Sequence, residues 1–230
     1  MIIDKILGFL DKHIHKKRII NFLEDQSIKT VIDIGAHKGE FIKSVLNISS
    51  VTNIEGFEPQ KNIFEVLKKT FSTNKYIKLN NLAIADKAGK QIMKINKLSD
   101  TSTLNEIDSD SLYFKFKSFL LYEKNSIISE QEVLTTTIDL FFQNIKFSEK
   151  TLMKIDTEGY EYNVLMGSKN KIKEIKYILI ENQFSKMYKN VNFENCHQFL
   201  INHNFKLLKK FKFPTLHYED RLYVNQADNI

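Results

Sequence analysis

The sequence has almost no cysteine and no long apolar run. Cys196 is the only cysteine, which excludes an internal disulfide and a cysteine-built zinc site and favours a reducing compartment. No apolar stretch approaches the roughly 20 residues that cross a bilayer. The first ten residues include Asp4 and Lys5 and lack the small-residue cleavage pattern of a signal peptide. These absences predict a cytoplasmic globular protein.

Arginine is also scarce, and its scarcity bears on the partner. The formal net charge of +6 would suit a polyanion. However, Arg18 and Arg221 are the only arginines among 34 basic residues, and arginine is the preferred side chain for bidentate recognition of phosphate and guanine. We therefore expect a small-molecule or saccharide substrate rather than nucleic acid. In one alternative this substrate bears a nucleotide or a phosphate group. The oligomeric state is open, with a homodimer as one alternative.

Helix and strand patterns alternate along most of the chain. Residues 1–27 predict an N-terminal helical segment, because apolar residues recur there at three- and four-residue spacing, and its basic stretch 13–18 predicts a solvated face or part of a substrate entrance. Strands are predicted near 30–34, 51–57, 76–84, 151–155, 176–181, 205–213 and 217–224, and helices near 40–46, 61–71, 160–166 and 193–202. This alternation predicts an α/β fold, with a mostly parallel sheet, helices on both faces and an antiparallel pair at the C-terminal edge.

The segment 97–130 interrupts the alternation. It combines a polar stretch, residues 99–104, with an aromatic one, residues 112–116. Insertions of this length in compact α/β domains tend to be lids or substrate loops, so Ser102 and Thr103 are candidate substrate contacts. No linker or repeat divides the chain, and we predict a single domain over residues 1–230.

The segment from Asp33 to Gly39 predicts a ligand site. A strand delivers Asp33 to its carboxyl end, and the glycines let the chain turn sharply and approach a ligand closely. The following helix aims its free N–H groups at the crevice where ligands of doubly wound sheets bind. The spacing is Gly-x-x-x-Gly, which differs from dinucleotide-binding and P-loop patterns. Because the acid before the glycines would repel a pyrophosphate, the loop favours S-adenosylmethionine (SAM) over NAD or ATP.

The ends of the next two predicted strands complete a nucleoside site. Glu58 ends the second strand, where a carboxylate can accept hydrogen bonds from both ribose hydroxyls. An adenine base needs an apolar slot and a polar contact at its edge, although Asn81 equally suits an ordinary turn. The candidate adenine contacts are Phe57, Pro59, Asn81, Leu82 and Ala83.

An acidic cluster follows the strand predicted at 151–155. Asp156 lies at the carboxyl end of this strand, Glu158 just beyond it, and Glu161 at helical spacing from Glu158. Glu181 ends the next strand and faces the same rim. Methyl transfer to a hydroxyl requires alignment and deprotonation of the acceptor, so these four carboxylates are candidate catalytic groups.

Several roles remain open for the acidic cluster. A metal ion such as Mg²⁺, if one takes part, is expected at Asp156, Glu158 and Glu181. Stabilisation of a helix N-terminus is the alternative for Glu158 and Glu161. His37, in the cofactor loop, is a further candidate base, with a structural role as its alternative.

Six motifs between Lys29 and Glu181 occur in the order that is typical of one protein family. They are VIDIGAHKG (31–39), GFEP (56–59), AIADKAG (83–89), TTTID (135–139), LMKIDTEGYE (152–161) and ILIE (178–181). On these motifs the sequence resembles the FkbM family of SAM-dependent methyltransferases. The pattern Lys-Ile-Asp-x-Glu-Gly-x-Glu is the most specific of them.

The resemblance implies a class I methyltransferase fold, Rossmann-like, with a mostly parallel seven-stranded sheet. It also implies methyl transfer from SAM to a hydroxyl of a sugar, a glycan precursor or a related small molecule. An N-methyltransferase, a methyltransferase of phosphorylated small molecules and a non-catalytic nucleotide-binding protein of the same fold remain alternatives. The expected cofactor contacts are Asp33, Gly35, Ala36, His37, Gly39, Glu40, Glu58, Pro59, Asn81, Leu82, Ala83 and Asp156. Two departures are visible: His37 stands where the family often has Asn, and the insertion at 97–130 is long and aromatic.

Overall fold

The computed structural model describes residues 8–96, 103–104, 127–148, 150–183, 193–215 and 218–227. The helices are α1 (Lys16–Glu24), α2 (Glu40–Val45), α3 (Lys61–Thr70), α4 (Ile138–Phe141), α5 (Glu161–Met166) and α6 (Phe193–Asn202), with a π-helical turn at Asp11–His15 and a 3₁₀ turn at Lys171–Glu174. The strands are β1 (Thr30–Ile34), β2 (Asn53–Phe57), β3 (Ile77–Asn80), β4 (Ala83–Ile84), β5 (Gly89–Asn96), β6 (Ile127–Thr136), β7 (Thr151–Ile155), β8 (Tyr177–Gln183), β9 (Phe205–Lys212) and β10 (Tyr218–Asn225).

Seven of these strands form the main sheet in the order β3-β2-β1-β7-β8-β10-β9. The first five are parallel to one another, and β10 runs antiparallel to both β8 and β9. This arrangement confirms the predicted seven-stranded, mostly parallel sheet with an antiparallel C-terminal edge. The order reverses direction at β1, so the carboxyl ends of β1, β2 and β7 enclose one crevice.

Alternate residues of the central strands enter two separate apolar layers. Val31, Leu152 and Leu179 belong to the layer that also contains the apolar side chains of α1, α2 and α3. Ile32 and Met153 belong to the opposite layer, with residues of α5 and α6. Since successive side chains of a strand point to opposite faces, strands covered on both sides are apolar throughout. Cys196 of α6 is buried in the second layer.

A second sheet was not predicted. It has three strands in the order β4-β6-β5, with β4 parallel and β5 antiparallel to β6. The single strand predicted at 76–84 was therefore wrong, because the chain leaves the main sheet after Asn80 and enters the second sheet at Ala83. The C-terminal end of the predicted insertion, from Ile127, belongs to β6.

Only a small part of the predicted insertion is described. Thr103 is 1% exposed and pairs with Lys94 through an isolated bridge, with Thr103 N–H donating to the Lys94 carbonyl and Lys94 N–H to the Thr103 carbonyl. Thr103 therefore extends the second sheet. Ser102 and most of the insertion lie outside the described residues.

The predicted N-terminal helix agrees with the structure over residues 8–24. Ile19 and Leu23 of α1 pack onto the main sheet, while Lys17 and Arg18 are exposed. The prediction of a solvated basic face was correct for these two residues and wrong for His15, which is 1% exposed. Among the residues that the structure describes, no helix combines the length and apolar character needed to span a membrane.

Candidate functional site

Two glycines shape the loop between β1 and α2. Gly35 has φ +82°, and a Cβ at this position would lie 1.9 Å from the carbonyl oxygen of Asp156. Gly39 has φ +83°, and its Cβ would lie 2.3 Å from the ring of Phe71. Both positions combine a left-handed backbone with a close approach, so a larger residue would displace the loop from the sheet. The glycines bring the loop against the end of β7 and the side of α3.

The loop is also fixed to the end of β2 through Glu58. The backbone N–H of His37, which has φ +47°, donates to Glu58 Oε2 at 2.9 Å, and the N–H of Gln60 donates to Oε1 at 2.8 Å. Glu58 is buried, and burial raises its pKa to about 7 although these hydrogen bonds lower it. Each carboxylate oxygen has two lone pairs and so retains an acceptor position for a ribose hydroxyl.

The His37 side chain lies beside the first turn of α2. Its Nδ1 is 3.5 Å from Glu40 Oε2. Burial acts to raise the pKa of Glu40, but the hydrogen bond and positive charge of His37 and the backbone at the helix start outweigh it and hold the pKa at about 2. The His37 ring therefore lies beside Glu40, the first residue of α2. This arrangement favours a structural role for His37 over a role as a base.

Asn81 joins the ends of β2 and β3. Its side-chain amide donates to the carbonyl oxygens of Glu58 at 2.9 Å and Pro59 at 3.0 Å, as a turn residue would. Leu82 packs against the core layer that contains Phe57, and Ala83 is buried with residues of the second sheet. The role of Asn81, Leu82 and Ala83 in holding adenine stays a prediction.

Asp33 and Asp156 both form ion pairs with Lys154. Lys154 Nζ lies 3.3 Å from Asp33 Oδ1 and 3.0 Å from Asp156 Oδ2, and it donates to the Gly35 carbonyl at 3.4 Å. Asp33 is completely buried, and neither of its oxygens accepts a hydrogen bond from the described residues. Burial raises the pKa of Asp33, and the charge of Lys154 opposes that rise. Asp156 is the more exposed partner, with a third of its side chain accessible.

Carboxylates continue beyond Asp156 across the next two strands. Glu181 of β8 lies directly opposite Asp220 of β10, so both side chains share one face of the sheet. Burial, together with the charges of Asp156, Glu158 and Asp220, raises the pKa of Glu181 well above its usual value. Gln183 Nε2 donates to Glu181 Oε1 and to Glu158 Oε2, each at 2.8 Å. Asp156, Glu158 and Glu181 are therefore neighbours, and their catalytic role stays a prediction.

Glu161 accepts hydrogen bonds from the turn that precedes α5. Its Oε1 accepts hydrogen bonds from the N–H groups of Thr157 and Gly159, both at 3.0 Å, and from the Thr157 hydroxyl at 3.1 Å. The side chain closes the turn in which Glu158 and Gly159 have positive φ. This geometry favours a structural role for Glu161 at the start of α5.

The described residues contain no group of three or more His, Cys, Asp or Glu side chains that could hold a metal ion. The geometry therefore gives no support to the Mg²⁺ expectation at Asp156, Glu158 and Glu181. Lys154 and the Gln183 amide already occupy oxygens of these carboxylates.

Three residues of this region were not predicted from the sequence. Lys154 was read as part of an apolar strand, although a lysine in a fully buried strand already indicates a charged partner. Asp220 and His15 form a pair, with Nε2 and Oδ2 2.6 Å apart, between segments separated by 205 positions. His15 is the last residue of the π-helical turn before α1, and π turns are frequent at functional sites.

Comparisons with known proteins bear on the whole arrangement. The sequence model of the methyltransferase FkbM domain matches residues 33–207. No curated protein matches the chain. Among solved structures, the methyltransferase FkbM of Methylobacillus flagellatus KT is similar with a TM-score of 0.55 and 13% identity, over 86% of this chain and 44% of that one. This chain thus spans less than half the length of that relative.

Two further structures share the fold and were solved with a cofactor or its product. TrmK of M. capricolum, in complex with S-adenosylhomocysteine (SAH), has a TM-score of 0.51 and 11% identity, over 92% of this chain and 70% of that one. The Sp1610 protein of Streptococcus pneumoniae, in complex with SAM, has a TM-score of 0.51 and 8% identity, over 93% and 74% of the two chains. At these identities the likeness concerns the fold.

Proposed function

Since this chain belongs to the FkbM methyltransferase family, we propose that it transfers a methyl group from SAM to a hydroxyl of a sugar, a glycan precursor or a related small molecule. SAM would lie in the crevice formed by the glycine loop and the ends of β2 and β7. Asp33 and Glu58 suit its cationic amino-acid portion and its ribose, respectively.

The observation that carries this proposal is that Lys154 connects the cofactor loop to the carboxylates beyond it. The Gly35 carbonyl, Asp33 and Asp156 share Lys154, and Asp156 is close enough to Glu181 to raise its pKa. An acceptor placed over Asp156 would therefore lie between the cofactor and Glu181. A carboxylate with a raised pKa is a better proton acceptor near neutral pH than an ordinary one.

In this proposal Asp156 orients the acceptor hydroxyl and Glu181 receives its proton. The acceptor oxygen gains the methyl group and loses its hydrogen, which moves to the carboxylate. The protein's contribution is alignment and proton removal, because the methyl donor already carries its leaving group.

The test is a screen of nucleotide-activated sugars and glycan fragments for methyl acceptance from labelled SAM. With an accepted compound, Asp156→Asn and Glu181→Gln should each lower kcat by about 10²–10⁴-fold, the usual contribution of general acid–base groups, while a SAM-binding site remains. Glu132→Gln, at an exposed carboxylate of the second sheet, is the matched control and should leave kcat unchanged. Full activity in both site variants would remove Asp156 and Glu181 from the mechanism.

The same screen addresses the alternative acceptors. Asp156, Glu158, Glu181 and Asp220 place negative charge on the acceptor side, which disfavours a phosphate group near the methyl and favours a neutral hydroxyl or an amine. Methylation of amines alone would replace the O-methyl proposal with the N-methyl one. Titration of activity with EDTA would show whether a metal takes part.

A further inference from the structure

Lys154 occupies an unusual place between the cofactor loop and the acceptor side. It is a cation in a strand whose five residues are all buried, and Asp33 is its direct neighbour in the parallel pairing of β1 with β7. Its ammonium group contacts two carboxylates and one carbonyl oxygen, and it lies 5.5 Å from the centre of the Phe41 ring. Only 10% of the Lys154 side chain is exposed, far less than is usual for a lysine.

The group formed by Asp33, Lys154 and Asp156 has one more carboxyl group than ammonium groups. Burial alone would lower the pKa of Lys154, but the charges of Asp156 and Asp33 raise it above the ordinary value, so the lysine is charged. Two carboxylates around one ammonium group leave a net charge of −1. Lys154 Nζ lies 3.3 Å from Asp33 Oδ1, yet neither Asp33 oxygen has a hydrogen bond of good geometry from the described residues.

We propose that Lys154 sets how strongly the site prefers SAM over its product SAH, by cancelling one of the two negative charges next to the cofactor. SAM carries a sulfonium and a net charge of +1, whereas SAH has a neutral sulfur. A residual charge of −1 complements the donor and loses that attraction once the methyl has left, so it favours product release. This inference rests on the proposed placement of SAM beside β1 and β7.

The proposal predicts opposite effects for the cation and for its more exposed partner. Lys154→Gln leaves the two carboxylates without the lysine charge and should strengthen the preference for the sulfonium. Asp156→Asn leaves a neutral Asp33–Lys154 pair and should weaken it. The double variant restores a net charge of −1 and should return the preference to that of the unchanged protein.

The measurement is calorimetric binding of SAM and of SAH, and the quantity compared is the ratio of the SAH Kd to the SAM Kd. We expect this ratio to rise about tenfold in Lys154→Gln and to fall about tenfold in Asp156→Asn, a change equivalent to about 1.4 kcal/mol. In the double variant it should lie within about threefold of the starting value. Lys43→Gln, which removes an exposed charge from α2, is the control and should leave the ratio unchanged.

Equal weakening of both ligands in the two single variants would overturn the proposal, because a purely structural lysine affects SAM and SAH alike. The proposal would also be overturned if the double variant kept the low ratio of SAH Kd to SAM Kd expected for Asp156→Asn. Should Lys154→Gln fail to fold, Asp156→Asn must still lower the ratio and Lys154→Arg must still preserve it. If neither ligand binds the folded protein without substitutions, the proposed use of SAM fails instead.

Discussion

At the scale of single residues, Glu58 links stability to pH. Its pKa is about 7 in the folded protein, against about 4.5 for an exposed glutamate. Between these values the folded state holds a proton that the unfolded state has released, so raising the pH through this window lowers the free energy of unfolding. The loss attributable to Glu58 should reach about 3 kcal/mol by pH 7.

Glu58→Gln should remove this dependence, so that the native protein loses stability relative to the variant as the pH rises from 5 to 8. Urea unfolding at the two pH values measures the difference. Glu132→Gln, at an exposed carboxylate, is expected to show the same pH profile as the native protein. A stability difference between native protein and Glu58→Gln that is the same at pH 5 and pH 8 would contradict the raised pKa.

Substitutions at Glu161 can distinguish a structural role of this residue from a catalytic one. Three hydrogen bonds reach a single oxygen, Oε1, which glutamine retains. We therefore expect Glu161→Gln to keep both stability and kcat, and Glu161→Ala to lower the free energy of unfolding by about 2–3 kcal/mol, because it leaves buried donors unsatisfied. Thermal unfolding and turnover of the two variants decide the matter, and a large loss of kcat in a stable Glu161→Gln would restore Glu161 to the catalytic group.

At the scale of elements, one buried pair joins the π-helical turn before α1 to strand β10. His15 Nε2 lies 2.6 Å from Asp220 Oδ2, and the His15 ring packs edge-on against Phe213 and Tyr218. Breaking a buried pair leaves one polar group uncompensated, so His15→Ala and Asp220→Ala should each lower the free energy of unfolding by about 3–5 kcal/mol.

The double variant should cost less than the sum of the two, because neither partner then remains buried alone. His13→Ala removes an exposed histidine from the same basic stretch and should change stability by less than about 0.5 kcal/mol. Denaturant unfolding of the four variants gives the comparison. Strict additivity at His15 and Asp220 would mean that the pair does not anchor the helix.

Periodicity predicted most elements because their apolar residues face a single environment. The strand at 151–155 and the helix at 193–202 have the predicted bounds, since strands covered on both sides and one-sided helices leave clear patterns. β4 was missed because two residues carry no period, and its partner β6 lies some 50 positions later. The second sheet therefore depends on long-range pairing that a local pattern does not contain.

The residues of the candidate site also differ in how well a local sequence pattern predicts them. The positions of Asp33, Glu58, Asp156 and Glu181 were predictable, because each lies near or just after the carboxyl end of an apolar strand. Their roles stay a prediction. The partner of Lys154 was not predictable, because the register that sets Lys154 beside Asp33 joins residues far apart in the chain.

At the scale of the whole molecule, the net positive charge and the acidic acceptor side occupy different places. The formal charge is +6, yet carboxylates gather where β7, β8 and β10 meet the rim. Many lysines of the described residues are exposed, and β9, the last strand in the sheet order, exposes Lys206, Lys209, Lys210 and Lys212. The single-domain organisation over residues 1–230 stays a prediction.

We expect the lysines of β9 to protect the edge of the sheet from pairing with other chains. An outer strand presents unpaired backbone groups to other chains, and lysines along it disfavour pairing between sheet edges. Replacing Lys206, Lys210 and Lys212 with Gln should therefore produce self-association that grows with concentration, with little change in the free energy of unfolding.

Sedimentation velocity over a range of concentrations measures this effect. The matched control is Lys43→Gln with Lys61→Gln and Lys69→Gln, which removes the same charge from exposed helix positions and so separates net charge from position. We expect the control to keep the association state of the native protein. Equal association in both triple variants would assign the effect to net charge, and no association in the β9 variant would mean that the twist or cover of the edge already protects it.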